Sequence, residues 1–132
     1  MLGIVTSLRA KELAKDWEYH VWLLDQAVAS MLASEGCDVR VFVVCHEVPD
    51  SEHLGNPRVR FESVSMRAPK RNNDEMCADK VVKLSEGARI AIDEGCDYVM
   101  VSDADDLLSR RVASVVGSEN SEAGWYSPAE FF

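Results

Sequence analysis

Basic residues are scarce in this chain: 14 lysines and arginines stand against 23 aspartates and glutamates in 132 residues, a formal charge of −9. With no dense Lys/Arg stripe, the composition argues against a nucleic-acid partner bound by phosphate neutralisation. Cysteine is sparse too. Cys37, Cys45, Cys77 and Cys96 show neither CxxC spacing nor the density of a secreted disulfide scaffold, so reduced thiols in a cytoplasmic protein are expected. Cys45 and Cys96 lie in or beside apolar strands and should pack as small hydrophobes. Long apolar runs are also missing: none approaches a membrane span, and Met1-Leu2-Gly3-Ile4-Val5 is too short for a signal-peptide core. What remains is 47% apolar, enough for one core, and a single domain over residues 1–132 is expected.

The chemistry gathers in one stretch, Tyr98-Val99-Met100-Val101-Ser102-Asp103-Ala104-Asp105-Asp106, where an apolar run ends in three carboxylates. The run is too short for an ordinary helix and reads as a strand buried on both faces, as parallel sheets require. Ligands of open parallel sheets bind beyond the carboxyl ends of the strands, where Asp103, Asp105 and Asp106 would stand. Crowded carboxylates raise one another's pKa unless a cation or hydrogen-bond donors offset their charge. Hard oxygen ligands on a loop suit magnesium or manganese, with water and substrate phosphate oxygens completing the shell.

Taken in order, Leu2 to Thr6 is a first strand, followed by a polar loop from Ser7 to Asp16. Asp16 caps a helix whose apolar stripe is Trp17, Val21, Leu24, Val28, Met31 and Leu32, with Glu18, Asp25 and Gln26 off the stripe. Glu35-Gly36-Cys37-Asp38 ends it, Gly36 suiting a left-handed position. Val39 to Cys45 is a second buried strand, His46 to Pro57 a loop, and Val59 to Val64 a third strand at an edge. Ser65 to Ala78 reads as a long loop carrying the basic cluster Arg67, Lys70 and Arg71. Asp79 is expected to cap the next helix, with Val81, Leu84, Ala88, Ala91 and Ile92 facing inward. Glu94-Gly95-Cys96-Asp97 repeats the earlier helix-to-strand joint. Two such joints suit βαβ units, and right-handed crossovers would gather the strands into one mostly parallel sheet. Ser109 would cap a short helix through Val116, 117–123 a polar turn, and Gly124 to Phe132 the start of another strand. An apolar end with no polar tail suggests a domain that normally continues.

The segment Val99-Met100-Val101-Ser102-Asp103-Ala104-Asp105-Asp106, together with the order of elements, resembles the DxD strand end of nucleotide-sugar glycosyltransferases of the GT-A fold, especially the family-2 type. The resemblance covers nearly the whole chain but only the amino-terminal, donor-binding half of such an enzyme. It implies a three-layer, Rossmann-like α/β domain that binds a UDP- or GDP-linked sugar through Mn2+ or Mg2+, for transfer to an acceptor hydroxyl. Carried over by position, Asp103 would contact the ribose or the metal's surroundings, Asp105 would ligate the metal, and Asp106 would either touch the sugar or support the metal's ligands from behind. Thr6 and Ser7 would line the nucleotide pocket, His46 and Glu47 would lie near the base, and Arg71 and Lys80 would contact phosphates. The resemblance implies inversion. In the family the general base lies in the second half; within this chain only Glu130 offers itself, and no catalytic residue is assigned.

Other classes fit less well. A haloacid-dehalogenase-type phosphatase wants Thr or Val where Leu107 stands, and its motif near the amino terminus. A nucleotidyltransferase of related fold wants a glycine-rich loop after the first strand, and Ser7-Leu8-Arg9-Ala10-Lys11 has no glycine. A non-catalytic donor-binding or assembly domain, pairing as a homo-oligomer through Phe131-Phe132, is the non-enzyme alternative. Trp125 and Tyr126 read as packing residues.

Overall fold

Four short β-branched runs form strands: β1 (Leu2–Ser7), β2 (Val39–Cys45), β3 (Val59–Ser63) and β4 (Tyr98–Val101). In a computed structural model, which describes residues 1–118 and Gly124, they make one all-parallel sheet in the order β3-β2-β1-β4. β1 is central, with Leu2 opposite Val39 on one side and Tyr98 on the other. Burial on both faces explains its apolar run from Leu2 to Val5. The helices α1 (Trp17–Leu32), α2 (Asn73–Asp93) and α3 (Val112–Ser118) cover the sheet. Leu24, Val28 and Met31 of α1 and Ala113 of α3 pack on Ile4, Val41 and Val43, whereas Ile90 and Ala91 of α2 pack on Val5 and Phe42. The result is a three-layer, Rossmann-like α/β fold. No helix among the described residues is long and apolar enough to cross a membrane.

Local chemistry sets the element ends. Asp16 accepts from the Tyr19 amide at 3.1 Å and caps α1 as expected. The second helix begins six residues before Asp79, because Asn72 accepts from the Glu75 amide at 2.9 Å while Glu75 reaches back to the Lys70 amide at 2.8 Å. That reciprocal cap satisfies the first free amides and moves Asp79 into the helix. Helix α1 stops at Leu32, before the expected Glu35-Gly36 joint, while Gly95 (φ +92°) directly follows the α2 cap Glu94. Helix α3 starts at Val112, three residues after Ser109.

Three burial expectations are corrected. β4 is only half-buried, with Val101 54% exposed, because among the described residues it pairs with β1 alone. Asp25 is buried in α1: Ser51 Oγ donates to its Oδ1 at 2.5 Å and the Glu52 amide to its Oδ2 at 3.4 Å, tying the 46–58 loop to the helix. On α2 the inward face is Lys83, Gly87, Ile90 and Ala91, while Val81 and Ile92 are each 62% exposed. The expected strand from Gly124, with Trp125, Tyr126, Glu130 and the Phe131-Phe132 end, lies outside the described residues apart from Gly124 itself.

Gly87 sets how closely α2 approaches the sheet. A Cβ there would lie 2.3 Å from Val5 Cγ1 and 3.0 Å from Val44 Cγ2. Gly87→Ala should therefore lose about 1–3 kcal/mol of unfolding free energy in urea despite alanine's better helix propensity. Ser85→Ala, on the exposed side of the same helix, should shift the midpoint little.

Candidate functional site

Parallel pairing brings the carboxyl ends of β1 and β4 side by side. The Ser102 amide donates to Val5 O at 3.0 Å, extending the ladder to the point where the chain turns outward into Asp103. β1 leaves the sheet through Ser7, Leu8 and Arg9. Over these two exits run the first turns of α2, presenting Asn73, Met76, Cys77, Lys80 and Lys83, whose spacing places them on one helical face. His20 and Leu23 of α1 close another side. The enclosed cleft measures about 350 Å³ and includes Asp103, Ala104 and Asp105, a volume at the lower end of the range for small-molecule sites.

Two ion pairs organise its charges. Lys80 Nζ lies 2.5 Å from Asp103 Oδ1, with both side chains about half exposed. Deeper in, Lys83 is 1% exposed; its ammonium donates to Asp79 Oδ2 at 2.7 Å and to Leu8 O at 2.8 Å. Counting lining residues, Arg9, Lys80 and Lys83 balance Asp79, Asp103 and Asp105. Asp105 is exposed and makes no hydrogen bond or ion pair among the described residues, so its carboxylate is open to a ligand. No three His, Cys, Asp or Glu side chains converge among the described residues. Asp103 and Asp105 are the two carboxylates of β4's exit that line the cleft; hard oxygen donors of this kind are the type that magnesium and manganese take alongside water and substrate oxygens. The Lys80 ammonium on Asp103 shows that this carboxylate accommodates a cation.

Of the residues singled out in the sequence, the cleft gathers Ser7, Lys80, Asp103 and Asp105. Thr6 is fully buried and shares the face of Ile4 and Leu8 toward α1, because side chains alternate along a strand. His46 points at Asp79, 3.4 Å away. Glu47 accepts from the Lys11 amide at 3.1 Å, and Arg71 donates to Leu13 O at 3.3 Å. Asp106 is exposed; its amide closes a turn onto Asp103 O at 3.2 Å. None of these five lines the cleft. Sequence reasoning passed over Arg9, His20, Asp79 and Lys83. A lysine at the centre of an apolar stripe, four residues after an aspartate, was the available signal for the last two.

Compared with known proteins, the chain matches no family model and no curated protein.

Lys83 tests the inner wall. Lys83→Met would leave Asp79 as an uncompensated, largely buried carboxylate, and loss of about 3–5 kcal/mol is expected by chemical denaturation. Adding Asp79→Leu should recover much of that loss, since a buried pair replaced by apolar groups is close to neutral.

Proposed function

We propose that this chain is the donor-binding domain of a family-2-like glycosyltransferase, holding a nucleoside-diphosphate sugar with manganese or magnesium for transfer to an acceptor hydroxyl. The observation that carries the reading is the meeting of Asp103 and Asp105 at the end of β4 with Lys80, Lys83 and Arg9 around one cleft. A nucleoside diphosphate needs both signs of side chain: carboxylates for its counterion and cations for its phosphate oxygens. Bond cleavage places further charge on the departing diphosphate, and fixed cations aimed at that charge stabilise the transition state. A divalent ion held at Asp103 and Asp105 would supply Lewis-acid neutralisation of the same group. Lys80, released from Asp103, would contact a phosphate, and Ser7 at the end of β1 adds a hydroxyl to the lining of the same cleft.

Calorimetric titration of UDP and GDP, with and without manganese, tests this directly. Binding should require the metal, and Asp105→Ala should weaken it by at least about tenfold. Cys77 locates the ligand independently: it is exposed and lines the cleft, so bound nucleotide should slow its alkylation while leaving Cys37, away from the cleft, unchanged. Metal-independent binding, or binding that leaves Cys77 equally reactive, would place the ligand elsewhere and sink the reading.

A further inference from the structure

Behind the cleft lies a buried charge cluster that donor binding does not by itself require. Lys83 holds Asp79 through Oδ2, and His46 Nε2 stands 3.4 Å from the other carboxylate oxygen, Oδ1. The separation suits an ion pair, yet the groups are misaligned for a hydrogen bond. Both His46 ring nitrogens and Asp79 Oδ1 are buried without a hydrogen-bond partner, and the His46 side chain is 8% exposed. Buried polar atoms left unmatched in this way are uncommon and call for a physical explanation. A neutral imidazole offers one donor, whereas an imidazolium offers two, and the acceptor nearest Nε2 is Asp79 Oδ1.

We propose that His46 and Asp79 are positioning residues for Lys83, forming a proton-responsive anion clamp. With the single proton of the neutral ring on Nδ1, Nε2 turns a lone pair toward Asp79 Oδ1; a second proton, taken from solvent at Nε2, makes it a donor to Oδ1, draws the carboxylate from Lys83, and turns the ammonium toward an anion in the cleft. The cluster passes from net zero to one positive charge. The inference rests on the anion-binding reading of that cleft.

The surrounding charges leave this response to the trio. On α2, Lys80 is engaged by Asp103, while Glu75 and, from the 64–72 loop, Arg67 line a shallow hollow on the other side of Asp79. β3 brings Glu62, held by Arg60. Glu47 is turned to the Lys11 amide. Cys45, the residue before His46, is a neutral thiol that burial pushes up to about 11.

The test measures the affinity of UDP with manganese between pH 8 and pH 6 in the wild-type chain, His46→Gln and Asp79→Asn. The nucleotide's own ionisation is common to all three, so differences between proteins are read. Wild-type affinity should rise about fivefold more than that of either variant at low salt, the scale of one added charge at such range. Imidazole nitrogen NMR of the ligand-free wild-type chain, which needs no variant to fold, should show His46 gaining its second proton while the chain stays folded. Superimposable pH curves for wild type and His46→Gln, or a His46 that stays singly protonated throughout, would overturn the proposal. Sulfate, a dianion across this range, separates it from the donor reading. pH-dependent sulfate binding without UDP binding keeps the clamp and discards the donor assignment; binding of neither discards both.

Discussion

Everything at the site end of this fold hangs on β1, which is hydrogen-bonded to β2 along one edge and β4 along the other and is buried on both faces. Its register fixes where β2 and β4 end, because Leu2 faces Val39 and Tyr98 at once. A shift of one residue would turn Ile4 and Val5 to the wrong faces, so burial enforces the register. The exits of β1 and β4 therefore emerge together, and the polar residues at those exits, Ser7 and Asp103, reach the same cleft. Placement of chemistry at the carboxyl end of a parallel sheet is thus a consequence of strand pairing.

The second determinant is the close seat of α2. With no side chain at Gly87, the helix can settle against Val5 and Val44, and one turn earlier this brings Lys83 down to the end of β1. The ammonium finds Leu8 O there and carries Asp79 with it. Two features that look unrelated in the sequence, a helix-interior glycine and a lysine in an apolar stripe, are parts of one packing solution. Isolated burial of that lysine would be prohibitive; burial with an ion-pair partner and a carbonyl acceptor offsets the desolvation.

This explains which parts of the molecule were legible in the amino-acid order. The two inner strands were, because burial on both faces is marked by short apolar runs such as Val41 to Cys45; β3 and β4 were placed too, by shorter runs that the structure leaves only partly buried. So was α1, whose apolar period and Asp16 cap agree. Helix α2 was misread at both levels for one reason: its start lies in the Asn72–Glu75 capping pair, amid residues that resemble loop, and its inward face contains a charge. Counting Lys83 as polar rotated the expected stripe toward Val81 and Ile92, which face solvent. That Ser7, Lys80, Asp103 and Asp105 stand near one another was legible; the neighbouring Lys83 and Asp79 were not, since they join them only through helix packing. Thr6 was placed in the pocket beside Ser7 by family resemblance, yet strand alternation sends neighbours to opposite faces and buries Thr6.

The two ion pairs differ in what it takes to rearrange them, and this difference orders the events at the cleft. Lys80–Asp103 is half exposed, so water stands ready to solvate either partner and breaking the pair costs about 0–1 kcal/mol. A ligand that brings its own cation to Asp103 and its own oxygens to Lys80 can exchange this contact for two better ones. Lys83–Asp79 is shut away from water, and separating it without replacement would strand two buried charges. Only a substitute for each partner makes that change accessible: an anion for Lys83 and a charged donor for Asp79. Among the described residues, His46 is the group nearest Asp79 Oδ1 able to become such a donor. On the proposals made above, the outer pair opens to a ligand alone, whereas the inner pair responds when ligand and proton arrive together, a coupling by linkage that needs no movement of the backbone.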